Sequence, residues 1–219
     1  AVYYLMRIAN ATDRAPVVFW VWTGLGLAFA LGSKYQAAWL PVAVLLFMVA
    51  TPKGRRWFVQ PGPWIGAAIG LLGLLPVLLW NMQNNWVSFE FHTSRAGDGF
   101  NILNLSRMML TQAIFLLPTG LIAAFAGLWL ALRHRAHDDR FLLALIALGP
   151  IVFFNYVYFT STSSHAHWTM PGWMFALPLA AAWMVERSEK SLKRHLRWAI
   201  GFMIVIWLPL VTLVIHSNT

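Results

Sequence analysis

Runs of apolar residues about as long as a membrane-crossing helix recur along almost the whole of this 219-residue chain. A helix needs about 20 mostly apolar residues to cross the hydrocarbon core of a bilayer. Charged residues make up only 11% of the chain, whereas soluble domains carry about 25%. The sequence therefore predicts an all-α, polytopic transmembrane bundle of about seven helices, forming a single transmembrane domain over residues 1–219. We place the helices at approximately 17–32, 36–50, 63–81, 104–132, 141–160, 168–186 and 196–216.

The first residues, Ala1 to Ala9, have the composition of a helix end. They lack the basic start and the longer apolar run of a signal peptide. We therefore expect the chain to be a fragment of a larger membrane protein, with further sequence upstream of Ala1.

Basic residues are divided unequally between the predicted loops. When successive loops are assigned alternately to the two sides of a membrane, thirteen of the sixteen Lys and Arg residues fall on one side. Because cytoplasmic loops are enriched in Lys and Arg, this side is predicted to be cytoplasmic. The same arrangement explains the net charge of +9 without a nucleic-acid partner. The outer side then carries Lys34, residues 81–101, residues 160–167 and the C-terminus.

Lys34, Arg95 and Arg107 are the three basic residues that this topology leaves on the outer side. For Arg107 we favour a side chain that extends to the lipid headgroups. Lys34 lies in a short turn between two apolar segments, and an ionisable residue at membrane depth indicates a functional site. We expect Lys34 to bind a phosphate, with Ser33 and Tyr35 adding hydroxyl donors.

The outer loop at 81–101 combines amides, aromatic rings, a carboxylate and an imidazole. Aromatic faces with polar groups suit sugar binding, so Trp86, Glu90 and His92 are candidate sugar- or acceptor-binding residues beside Arg95. A membrane-interface anchor would also explain Trp86, and an ordinary solvated loop would also explain the charged cluster.

The second outer segment carries His165, His167 and Trp168. Imidazole is a common metal ligand, but two histidines need further ligands to form a site. A divalent metal completed by Glu90 or Asp98 is thus left open, and hydrogen bonding to a phosphate or sugar fits equally well. The chain has no cysteine, and no nucleophile motif, Gly-rich phosphate loop or HExxH sequence is present.

Several motifs together resemble one family. The segment GLGLAFALGSKY at 24–35 is followed by Leu40-Pro41, PKGRRW at 52–57, PGPW at 61–64 and PVLLWN at 76–81. His167-Trp168 and Pro171 then lead into an Ala-rich helix. Over nearly the whole chain this pattern resembles bacterial membrane glycosyltransferases of the GT-C superfamily, and it is similar to the dolichyl-phosphate-mannose–protein mannosyltransferases.

The resemblance implies an enzyme of the bacterial inner membrane. Such an enzyme passes a sugar from a polyprenyl-phosphate donor to a lipid, glycan or protein acceptor on the periplasmic face. Its catalytic acid lies in the first outer loop, upstream of Ala1, so neither Glu90 nor Asp98 is assigned that role and this chain alone is expected to be inactive. We expect Lys34, Tyr35, Arg95 and His167 at the donor phosphate, and Trp86, Glu90, His92, His165 and Trp168 at the sugar or acceptor.

Two other functions remain open. A multi-helix transporter or lipid flippase would place polar groups near the middle of the bilayer in several helices, whereas the segments 36–50, 141–160 and 196–216 are almost free of them. The third alternative is a non-catalytic membrane scaffold. The sequence does not identify the sugar or the acceptor.

Overall fold

The computed structural model describes residues 1–12, 14–93, 102–134, 137–160, 165–187 and 189–217. All regular structure in these residues is helical, which confirms the predicted all-α class. Short 3-10 turns at Tyr35–Ala38 and Ala166–Thr169 precede α3 and α11. The α-helices are α1 Val2–Asn10, α2 Val17–Ser33, α3 Trp39–Ala50, α4 Pro52–Trp57, α5 Pro61–Leu72, α6 Leu75–Gln83, α7 Val87–Thr93, α8 Ile102–Leu116, α9 Pro118–Arg133, α10 Asp138–Thr160, α11 Met170–Arg187 and α12 Glu189–Ser217.

The described helices differ in how well they match the thickness of a membrane. By length and composition, Pro61–Gln83 and Asp138–Thr160 could each cross a bilayer, and α8 with α9 would be a third span if their bend is disregarded. Val17–Ser33 and Tyr35–Ala50 are apolar but shorter. Helix length and composition in the described residues therefore support two or three spans, fewer than the seven that the apolar runs predicted.

The prediction of one continuous helix over 104–132 is wrong. The chain forms α8 and α9 instead, and the two helices meet at 97°. The break lies at Leu117, whose φ of 62° is in the left-handed region, and Pro118 follows as the first residue of α9. Proline disfavours the α conformation of the residue before it and suits the first turn of a helix. The predicted helix at 63–81 corresponds to α5 and α6, with Pro76 in the first turn of α6. A short turn at 73–74 separates the two helices, but Pro61–Gln83 remains one candidate span.

Helix α10 lies at the centre of the packing. One face contributes Phe141, Leu142 and Ile146 to a core shared with residues of α1 to α4. Other positions, including Ala147 and Ile151, pack in a second core with α9 and α11. Because α10 contributes to both cores, it connects the N-terminal helices to the C-terminal helices.

Glycines allow two helix pairs to approach at backbone distance. In the α2–α5 pair, a Cβ added at Gly24 would lie 2.5 Å from the carbonyl oxygen of Gly66. In the α9–α11 pair, a Cβ at Gly127 would lie 2.5 Å from the backbone of Leu179. Small residues at such contacts are typical of helices that pack within a membrane.

Polar contacts gather the predicted basic loops at one end of the bundle, here called the basic end. Lys53 donates to the carbonyl of Ala9 and lies 3.8 Å from the Asp138 carboxylate. Two further pairs connect the same end: Asn10 with Asp139 at 3.1 Å, and Arg140 with Glu186 at 2.6 Å. The loops that the charge count assigned to one side therefore lie together in space.

Ring contacts also join helices at the opposite end, here called the aromatic end. Trp39 packs on Phe153 with ring centroids 5.2 Å apart, and Phe154 meets Trp168 edge-on at 6.1 Å. These contacts hold the outer part of α10 against the start of α3 and the turn before α11. The described candidate residues around Tyr35 and Trp168 lie at this end.

Candidate functional site

Lys34 lies where α2 ends. Its N–H donates to the carbonyl of Ala30 at 2.9 Å, which closes the last turn of the helix. Its backbone is extended, with φ of −158° and ψ of 128°, so the chain leaves the helix at this residue before the 3-10 turn. The side chain is exposed and forms no ion pair within the described part of the chain. The structure thus presents an available cation at the aromatic end.

The expected hydroxyl donors beside Lys34 differ in availability. Ser33 donates its hydroxyl to the carbonyl of Phe29 at 2.7 Å, so this proton is already used inside α2. A hydrogen bond from Ser33 to a phosphate stays a prediction, and it would have to replace this intrahelical bond. Tyr35 is 37% exposed, and its ring stacks on Phe89 with centroids 5.9 Å apart and planes at 20°.

The polar loop after α6 folds back against Tyr35. Phe89 contacts both Tyr35 and Trp86, whose ring centroid lies 5.6 Å from that of Phe89. Glu90 is exposed in the first turn of α7. The stacking therefore brings Trp86, Glu90 and Tyr35 to one region of the surface.

Asn81 organises this loop from a fully buried position, with 0% of its surface exposed. Its amide donates to the carbonyl of Val77 at 2.9 Å, and its side-chain oxygen accepts from the N–H of Ser88 at 3.3 Å. Its backbone carbonyl accepts from Trp86 at 2.9 Å. Trp86 and the preceding Asn85 have φ of 58° and 52°, a conformation rare for large side chains. Asn81 thus secures the reversal that carries Trp86 and Glu90.

The segment before α11 reaches the same region through Gln36. The amide of Gln36 donates to the carbonyl of Trp168 at 3.5 Å. His165 stacks on His167 with ring centroids 5.5 Å apart, and His165 also meets the ring of Trp168 at 5.6 Å. Both histidines are exposed.

One short segment therefore joins the two predicted outer loops. Tyr35 contacts the loop of Trp86 and Glu90, and the adjacent Gln36 contacts the segment of His165, His167 and Trp168. Lys34 immediately precedes both connecting residues. The structure thus brings together most of the candidate residues that it describes.

The remaining candidates are placed only in part. Arg95 and Asp98 lie outside the described residues. The backbone of His92 belongs to α7, and nothing is described of its side chain. Arg107 is exposed on α8.

A metal site is not formed by the residues that the structure describes. Among them, no group of three or more His, Asp or Glu side chains is close enough to hold an ion. The His165–His167 pair supplies two ligands at most, and Asp98 cannot be assessed.

The sequence analysis did not single out three amide side chains, those of Gln36, Gln112 and Asn155. Gln36 has a buried side-chain oxygen without a hydrogen-bond partner among the described residues, and Gln112 of α8 donates to Asn155 of α10 at 2.7 Å. Each lies in a mainly apolar segment, and that contrast is the signal that would have identified them. Buried polar groups are normally hydrogen-bonded, so the free oxygen of Gln36 is an acceptor suited to a ligand hydroxyl.

The N-terminal part of the chain matches a known protein family. Residues 1–80 match the family model of dolichyl-phosphate-mannose-protein mannosyltransferases. No curated protein and no solved structure matches the chain. The matched stretch includes α1 to α5, most of α6, and the turn that carries Lys34 and Gln36. The resemblance read from the sequence is thereby confirmed over residues 1–80, which are similar to the dolichyl-phosphate-mannose-protein mannosyltransferases.

Proposed function

We propose that this chain is part of a multi-pass membrane glycosyltransferase of the GT-C type. The proposed reaction transfers a sugar from a polyprenyl-phosphate donor to an acceptor on the outer face of the bacterial inner membrane. The observation that carries the proposal is the family match over residues 1–80, because this stretch contains the exposed Lys34 beside Tyr35 and Gln36.

The proposed phosphate site is centred on Lys34. A polyprenyl donor is held in the membrane by its hydrocarbon chain, so its phosphate is met at the membrane surface. When the bond between sugar and phosphate breaks, negative charge develops on the departing phosphate, and a fixed cation stabilises that transition state. Lys34 is exposed at the aromatic end, and Tyr35 adjoins it. His167 and Arg95 are proposed as further phosphate contacts.

The sugar and acceptor are proposed to lie between the two loops joined by Tyr35 and Gln36. Trp86 and Trp168 offer aromatic faces for sugar rings. Glu90, His92 and His165 offer hydrogen bonds to hydroxyl groups, and the unpartnered oxygen of Gln36 offers another. The catalytic acid is proposed to come from the outer loop upstream of Ala1, as the family resemblance implies.

The test is sugar transfer by the full-length protein, purified and placed in lipid nanodiscs. Purification removes the enzymes that convert nucleotide sugars into lipid-linked sugars. Radiolabelled polyprenyl-phosphate mannose and a labelled nucleotide mannose are supplied separately, with extracted envelope lipid, glycan and protein as acceptors. We expect label in an acceptor only from the polyprenyl donor. Transfer from the nucleotide sugar alone would overturn the proposed donor, and movement of a lipid between leaflets without transfer would favour a flippase.

A further inference from the structure

Helix α8 lies almost at a right angle to α9, the helix that follows it. Its successor α9 packs along α11, with Leu121 and Leu128 buried and Gly127 against the backbone of Leu179. Helix α11 in turn packs on α10, one of the two helices able to cross a bilayer alone. Since α9 packs along α11 and α8 meets α9 at 97°, α8 runs across the direction of these packed helices.

A buried hydrogen bond places α8 near the outer end of α10. Gln112 of α8 is 1% exposed and donates to Asn155 of α10 at 2.7 Å. Asn155 precedes the last residue of α10, Thr160, by five positions. At a rise of about 1.5 Å per residue, α8 contacts α10 about 8 Å below the end of that helix. The end of a spanning helix lies close to the boundary between headgroups and acyl chains, where interfacial helices bury their apolar face.

The side chains of α8 suit that boundary between headgroups and acyl chains. Met108 and Gln112 face the protein. Ile102, Leu103 and Leu110 are between 59% and 64% exposed. Arg107 is also exposed, and a long cationic side chain can extend from an apolar surface to the phosphates of lipid headgroups.

We propose that α8 is an interfacial helix that lies flat in the leaflet at the aromatic end and binds its phospholipids. Leu103 and Leu110 enter the acyl region, and Arg107 contacts the headgroup phosphates. Because α8 also adjoins the turn at Ala166–Thr169, it holds His167 and Trp168 near the level of the headgroups. This role of α8 does not depend on the proposed transferase activity.

The test compares the membrane depth of two matched pairs of positions. Leu103 and Leu110 of α8 are seven residues apart and both exposed, as are Ile122 and Trp129 of α9. Each is replaced singly by cysteine in the full-length protein, with any cysteine outside this chain removed, and is given a spin label in phospholipid vesicles. Collision with oxygen and with a water-soluble nickel chelate then reports depth.

We expect equal depth for the labels at 103 and 110, near the boundary between headgroups and acyl chains. The control labels at 122 and 129 should differ in depth by about 10 Å, because seven residues of a spanning helix rise that far. A difference of about 10 Å between 103 and 110 would show that α8 crosses the membrane. Free access of the nickel chelate to both would show that α8 lies in water. Either result overturns the proposal, provided that the labelled proteins melt at the parent temperature.

Discussion

Lys34 differs from Lys53 of the basic end in the availability of its charge. It is exposed, it directly follows the last residue of α2, and it forms no ion pair in the described structure. Lys53, in contrast, is held by the carbonyl of Ala9 and the carboxylate of Asp138. An unpaired ammonium at the membrane surface is available to an anionic group, and this availability distinguishes Lys34 from a lysine that only supports the fold.

Replacement of Lys34 should therefore reduce transfer more than folding. Lys34→Met keeps much of the apolar stem and removes the charge. Since a hydrogen bond to a charged group contributes about 1.5–3 kcal/mol, we expect transfer by the full-length protein to fall roughly ten- to a hundredfold. Lys34→Arg should transfer faster than Lys34→Met but slower than the wild type. Arginine keeps the positive charge but carries it on a planar guanidinium group instead of a compact ammonium.

The matched control is Lys190→Met. It removes an exposed lysine of the basic end, far from the candidate site, and should leave transfer unchanged. For each variant, the initial rate of sugar transfer is measured at saturating donor, together with the melting temperature. A wild-type rate for Lys34→Met would identify Lys34 as a headgroup anchor and would move the search for the phosphate to Arg95 or Arg107.

At the scale of the element, α9 shows how backbone proximity determines packing. Gly127 and Gly120 belong to the same helix but have different surroundings. A Cβ at Gly127 would meet the backbone of Leu179 at 2.5 Å, whereas a Cβ at Gly120 would meet nothing within 4 Å. The contact at Gly127 lets α9 and α11 approach closely, and a side chain at Gly127 must separate them.

We expect Gly127→Ala to lower the stability of the protein by about 1–3 kcal/mol, as overpacking of a close contact typically does. Gly120→Ala should be neutral or should stabilise by up to about 1 kcal/mol, because alanine is the better helix former. Thermal unfolding of both variants in the same detergent gives the comparison. Equal melting temperatures would show that the α9–α11 contact is looser than the structure describes.

At the scale of the whole molecule, the ion pairs between helices lie at one end of the bundle and the candidate site lies at the other. Lys53, Asp138, Arg140 and Glu186 meet at the basic end. Tyr35, Phe89 and Trp168 lie at the other end. Since Lys and Arg accumulate on the cytoplasmic side of membrane proteins, this separation predicts that the candidate site opens on the outer side.

Labelling of single cysteines in intact cells tests this orientation, and the 219 residues contain no cysteine of their own. Arg56 and Gln83 are both exposed and are replaced separately by cysteine. A maleimide that cannot cross the membrane should label Gln83→Cys in intact cells, and Arg56→Cys only after the cells are permeabilised. The reverse pattern would place the candidate site in the cytoplasm and contradict a periplasmic reaction.

Much of the architecture is determined by composition and local pattern. Apolar runs and scarce charges predicted helices in a membrane, because an apolar helix satisfies its own backbone hydrogen bonds there. The Ser33-Lys34-Tyr35 turn was predicted from the change between apolar and polar residues, and α2 does end at Ser33. The family resemblance was likewise visible in local motifs, and residues 1–80 match that family. The roles of the site residues remain predictions.

Only the tertiary structure decided how these elements meet. The 97° corner between α8 and α9 depends on Leu117 adopting a positive φ, whereas Pro118 alone would also allow a milder kink. The roles of Gln36 and Asn81 depend on Trp168 and Ser88, partners supplied by other turns of the chain. A hydrogen bond between segments 132 residues apart leaves no local pattern, because it exists only after the helices have packed. Sequence therefore determined the helical class and the charged end, while packing decided where helices break and which polar side chains share the candidate site.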